Sequence, residues 1–257
     1  FEPTYEILGL AADITMANLE IPLTNQGEPH PTKSIVFRCA PEHVSGLYYG
    51  GIDVVTLANN HILDYMEPGI IQTKNILNEA GIQYSGAGMN SYEAYLPAFL
   101  SAKGQTIAVI ASSDRTGQYN NYQPYLNAGE NKSGFAYLTP YYLRQQIQSV
   151  RADVDLVVVE MHAGSEYSYA PGENYDSHEP PPTGFENLRT NPASEIGFMA
   201  DPLIGFDDED YSPRLDRPKL WDRAIRQFAI NEGADAVIVH HPHIIHGVEI
   251  YNGKIIA

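Results

Sequence analysis

"IDVVTLANNHILDYMEPG", residues 52–69, decides how the rest of the chain is read. The compact apolar run 52–58 suits a strand buried on both faces. It stops at Asn59, Asn60 and His61. Residues 67–81 then place Ile70, Ile71, Thr73, Ile76, Leu77 and Ala80 at helical spacing, with Pro68 at the start and Gly81 at the stop. Strand, polar turn and helix make one α/β unit. Asn and His have weak helix and strand preferences, so local folding does not explain Asn59, Asn60, His61 or Asp64.

Outward from this unit the rhythm repeats. A strand at 12–18 ("ADITMAN") delivers Asn18, Leu19 and Glu20, and 40–50 ("APEHVSGLYYG") reads as a short helix closed by glycines. Strands are expected at 105–112 ("QTIAVIAS"), 154–164 ("VDLVVVEMHAG") and 234–243 ("ADAVIVHHPH"), with helices at 139–153 and 218–232. Residues 245–257 read as a hairpin turning at Asn252-Gly253. Alternating strands and helices predict an α/β fold with a mainly parallel central sheet. Residues 165–217 break the rhythm. Their tyrosines and phenylalanines make them an irregular insert, expected to be a lid or binding loop.

Acidic residues outnumber basic ones 32 to 15, for a formal charge of −17. That opposes nucleic acid, whose backbone needs Lys and Arg to displace counterions. It suits a protein that gathers divalent cations. The single cysteine, Cys39, cannot form an internal disulfide.

Four segments share one feature: a strand ends and ligand-type residues follow at once. They are "NLE" (18–20), "ANNH" (58–61), "EMHAGSEY" (160–167) and "VHHPH" (239–243). In parallel α/β sheets the carboxyl ends of strands form one rim, where ligands bind. Glu20, Asn60, His61, His162, His241 and His243 are therefore expected to converge. Imidazole, carboxylate and amide oxygen together suit Zn, Mn or Fe. Two such ions would polarise a phosphoryl oxygen and activate water at neutral pH. Taken singly, each residue has a plainer reading: Glu20 as a surface carboxylate, His162 as a hydrogen-bonded core histidine, Asp64 as a helix-start group. Three imidazoles in residues 240–243 have no packing rationale. His30, His43 and His178 lie in polar stretches and are expected in solvent.

The segments "ADITMANLE", "GIDVVTLANNHILDY", "VVVEMHAGSEY" and "EGADAVIVHHPHIIHGVEIYNGKII" resemble those of the bacterial capsule-synthesis CapA-type proteins. These are associated with poly-γ-glutamate and belong to the calcineurin-like metallophosphatase superfamily. The resemblance implies a single domain over 1–257, a four-layer α-β-β-α sandwich with the 165–217 insert. It implies Glu20, Asn60, His162, His241 and His243 as ligands of two divalent ions, and His61 as the catalytic residue at the leaving group. Asp64 and Glu166 would support these ligands from behind. The family normally opens with a strand ending Gly-Asp and continues into a "YSLGNF"-like segment. Both are absent between Phe1 and Ala257, so the first metal site is expected to be incomplete within these residues.

Two functions are expected on this basis. One is a metal-dependent phosphoesterase acting on a small-molecule phosphoester or cell-surface polymer in capsule biosynthesis. The alternative is a non-catalytic factor that binds or assembles a surface polymer or glycan. Either implies a bacterial, extracytoplasmic or cell-surface location, and leaves room for a membrane anchor outside these residues.

Overall fold

The computed structural model describes residues 5–115, 126–164 and 220–257. Its helices are α1 (Tyr5–Leu8), α2 (Val44–Tyr49), α3 (Met66–Ala80), α4 (Ser91–Ala94), α5 (Pro140–Arg151) and α6 (Leu220–Glu232). Its strands are β1 (Met16–Asn18), β2 (Val54–Thr56), β3 (Gln83–Ser85), β4 (Ala87–Gly88), β5 (Ala98–Ala102) and β6 (Gln105–Ser113). They continue with β7 (Gly134–Phe135), β8 (Leu156–His162), β9 (Ala236–His240), β10 (Glu249–Tyr251) and β11 (Lys254–Ile256).

β1-β2-β3 form a parallel sheet, and β10-β11-β9-β8-β6-β5 a second sheet whose four central strands are parallel. Antiparallel β5 and β10 close its two edges. The hairpin expected at 245–257 is β10-β11, turning at Asn252 (φ 50°) and Gly253 (φ 74°). Positive φ at both turn residues matches the strand twist, and Asn-Gly adopts it at little cost. The sequence reading did not find β5 or β7, which lie in stretches without clear periodicity, while residues 82–88, which carry β3 and β4, open a further unit in it.

Alternation along the strands arranges the layers. Val157, Val159 and Met161 of β8 pack with Leu143 and Ile147 of α5 and Phe228 of α6. On the other sheet, Val55 packs with Ile70 and Leu77 of α3 and with Leu47 of α2. Between the sheets, Val54 meets Ala98 and Val109, with Met16 and Val158 beside them. Helices, sheet, sheet and helices therefore stack as the expected four-layer α-β-β-α sandwich. Each buried Val, Leu or Phe contributes about 1.5–3 kcal/mol. A one-residue slip of β8 would exchange Val157, Val159 and Met161 for Val158, Glu160 and His162 on the helical side. The hydrophobic register thus directs His162 into the space between the sheets.

Helix boundaries follow local chemistry. Thr139 caps α5 by accepting the Tyr142 N–H at 3.2 Å, with Pro140 in the first turn. α3 ends at Gly81 in the left-handed region, φ 72°. Glu166 and the expected 165–217 lid lie outside the described residues. Among the described residues no helix is long and apolar enough to cross a membrane.

Candidate metal centre

The four strand-end segments meet at one rim. β8 runs parallel to both β6 and β9, in register Ser113↔His162 and His162↔His240, while Asn18 pairs with Thr56 across β1 and β2. His162 is fully buried. Its Nε2 lies 2.9 Å from Asn60 Oδ1, 3.2 Å from Glu20 Oε1 and 3.2 Å from His241 Nδ1. His243 Nε2 lies 4.0 Å from the same Glu20 oxygen. Ligand atoms of Glu20, His241 and His243 all fall within 4.8 Å of one another.

The backbone after β9 is bent to aim these rings. His241 and His243 both have positive φ, 97° and 57°. Each such non-glycine residue costs on the order of 1–3 kcal/mol, and such strain clusters at functional sites.

The donor set fits a divalent cation. His162 Nε2 faces an amide oxygen, a carboxylate oxygen and another imidazole nitrogen, and a single N–H can serve only one of them. Glu20 Oε1 is buried yet receives no well-directed hydrogen bond, despite His162 nearby. A cation among these lone pairs would satisfy all of them. The protonation states agree. Burial holds the His162 imidazole below its usual range, Glu20 opposing and the Arg115 charge assisting. Burial, followed by the charges of Arg115 and the neighbouring histidines, holds His241 well below its usual range. Both rings therefore favour the neutral, ligating form. For Glu20, burial raises the carboxyl, but His162, His243 and His61 outweigh it and the net shift is downward.

The question posed by Asn59-Asn60-His61…Asp64 resolves into four jobs. Asn59 is fully buried and locks the turn: its amide donates to Asn18 Oδ1 at 3.1 Å and Leu19 O at 2.9 Å, while its own oxygen accepts the His61 N–H at 3.1 Å. Asn60 turns its amide oxygen to His162. His61 Nδ1 lies 2.7 Å from Asp64 Oδ2. Asp64 is fully buried and also accepts the Phe37 N–H at 2.6 Å and the Lys33 ammonium. Lys33 Nζ donates to Asn60 O at 2.6 Å as well, and the Phe37 ring lies 4.8 Å from that of His61. Asp64 thus orients His61 from behind while tying the 30–37 segment to the turn.

This segment corrects one expectation. His30 is buried rather than in solvent, because its N–H donates to the Asp64 carbonyl at 2.8 Å and folds it under the segment. His43 is exposed as expected, and His178 lies outside the described residues.

Sequence reasoning gave no role to three residues. Asn18 contacts Glu20 Oε2 at 3.1 Å and His162 Nδ1 at 3.4 Å, and its oxygen accepts from Asn59. Its place at a strand end was a usable signal. Arg115 follows β6 at the same rim, buried against Asp114 with Nε–Oδ1 2.6 Å, and its charge reaches His162 and His241. Lys33 sits in an aperiodic stretch and gave no signal.

A two-sheet α/β sandwich gathers imidazole, carboxylate and amide donors at its strand ends, a donor set of the kind that divalent ions take. The chain belongs to the bacterial capsule synthesis protein family PGA_cap, whose profile matches residues 1–177 and 212–257. It is 25% identical over 248 residues to the PGA biosynthesis protein CapA of Bacillus subtilis, covering 96% of this chain and 51% of that protein. It is 30% identical over 179 residues to a polyglutamine synthesis accessory protein of Mycobacterium tuberculosis, covering 65% and 46%. Identity to the capsule biosynthesis protein CapA of Bacillus anthracis is 23% over 252 residues, covering 95% and 48%. The chain thus spans about half the length of the curated relatives it matches. A solved structure described as a 5′-nucleotidase from Staphylococcus aureus superposes with a TM-score of 0.47 at 16% identity, covering 95% of this chain and 38% of that one.

Proposed function

We propose that this protein is a metal-dependent phosphoesterase serving capsule or cell-surface polymer synthesis of the poly-γ-glutamate type, at the bacterial cell surface. Glu20, Asn60, His162, His241 and His243 would hold its divalent ions, two in the complete site, drawn from Mn, Fe or Zn. The observation that carries the reading is the convergence on His162 Nε2 of three acceptor-type atoms that one proton cannot satisfy. Ions bound there supply charge stabilisation to a phosphoryl group and lower the pKa of water.

The chain's own residues supply the rest. With His61 Nδ1 engaged by Asp64, Nε2 is the nitrogen left to exchange a proton with the substrate. His61 therefore protonates the departing oxygen, while Asp64 keeps its ring oriented. The buried Arg115 guanidinium adds positive charge near the cluster, which favours an anionic substrate.

The test is metal analysis of the protein, followed by assay on a phosphomonoester and a phosphodiester. Stoichiometric Mn, Fe or Zn and turnover that falls about 10²–10⁴-fold in His61→Ala are expected. A protein that binds none of these ions would refute the reading. Unchanged biological function in His61→Ala, with metal retained, would instead favour the non-catalytic assembly factor.

A further inference from the structure

At the amino ends of the same strands, across the molecule from the histidine cluster, lies an open cleft of about 1030 Å³. Asp13 and Asp53, which line it, fall just before β1 and β2. Phe99 and Ser101 line another wall from β5, the edge strand of the larger sheet, and Tyr48 and Tyr49 stand at the end of α2. Three of its aromatic rings face water instead of the core: Tyr48, Tyr49 and Phe99 are 64%, 70% and 54% exposed. The two tyrosines meet edge to face, centroids 5.7 Å apart at 73°, so they form a corner and not a single flat wall.

We propose that this cleft is a binding site for a neutral glycan. Exposed aromatic faces offer stacking for the C–H faces of sugar rings, and carboxylates beside them accept from hydroxyls. Other ligand classes fit less well. The formal charge of −17 and the two aspartates oppose a polyanion, polyglutamate included. An organic cation would have to compete with Lys103 for Asp13, whereas a hydroxyl can use the carboxylate lone pairs that remain. Here Asp13 is paired with Lys103 at 2.8 Å, and Asp53 Oδ2 already accepts the Thr15 N–H at 2.8 Å. A purely apolar ligand would leave both carboxylates desolvated. The volume lies at the upper end for ligand sites, with room for several sugar units. The site uses no residue of the metal cluster, so glycan binding is independent of the phosphoesterase reading.

The experiment is calorimetric titration of the whole chain with cellohexaose, maltohexaose and chitohexaose, with and without EDTA. Saturable binding of at least one sugar is expected, unaffected by EDTA. Tyr48→Ala or Tyr49→Ala should weaken it about tenfold, the loss of one stacked ring. Ser101→Trp, which fills the cleft from the exposed face of β5, should abolish it. All three positions are at the surface, and unchanged thermal melting of the variants would confirm folding. No binding of any sugar at millimolar concentration, or binding indifferent to all three substitutions, would overturn the proposal. So would saturable binding of spermine in place of the sugars.

Discussion

Asp64→Asn tests whether the 30–37 segment and the Asn-Asn-His turn are fastened through one carboxylate. Asp64 is fully buried and Lys33 nearly so, and Asp64 also accepts from Phe37 N–H and His61. Asparagine keeps the shape and one acceptor but leaves the Lys33 ammonium buried opposite a neutral amide. Burial already depresses the Lys33 pKa, with Asp64 chiefly resisting that shift. Removing one partner of a buried pair costs about 3–5 kcal/mol. With an m-value of about 2 kcal/mol/M, the urea midpoint should fall by roughly 2 M, read by far-UV circular dichroism. Lys33→Met in the same background should return part of the loss, a coupling of about 0.5–3 kcal/mol. A shift below about 0.5 M, or strict additivity of the two substitutions, would refute the shared-carboxylate argument.

Three further outcomes follow from the geometry. Asn18→Ala removes the amide that contacts Glu20, His162 and Asn59, and should weaken Mn or Zn binding about 10–100-fold by calorimetry while leaving the fold intact. Gly86 has φ 100°, and an added Cβ would come within 2.8 Å of the Ala58 nitrogen, just before the Asn-Asn-His turn. Gly86→Ala should therefore cost at least about 2 kcal/mol in urea unfolding and weaken metal binding with it. At Asp235, burial raises the carboxyl, but Lys254, the Val157 N–H and Arg151 outweigh it and the folded pKa is lowered. Its contribution is present above the unfolded pKa near ~3.9 and is lost as pH falls through the lower folded value. Asp235→Asn should thus lower the melting temperature at pH 7, with the difference from wild type closing only below about pH 4.

Much of this site was legible because parallel α/β sheets put strand ends on one rim. Asn60, His61, His162, His241 and His243 each follow an apolar run, and that position together with their ligand-type side chains marked them. Asp64 was legible as support for the turn, though its reach to Lys33 and Phe37 was not. Those contacts join residues 27 and 31 positions apart through a segment that has no period to read. His30 was misjudged for the same reason: polar neighbours in sequence say nothing about what folds over them.

What the sequence by itself determined is the succession of elements and the face each presents, since periods of 2 and 3.6 are local properties of the chain. It also determined the donor chemistry at each strand end. Only the tertiary structure decided which donors point at the same oxygen of Glu20, that Lys33 and Phe37 close on Asp64, and that a cleft opens at the far ends of the strands. Those are relations between residues separated by tens to hundreds of positions. They depend on how whole layers pack, which no local pattern encodes.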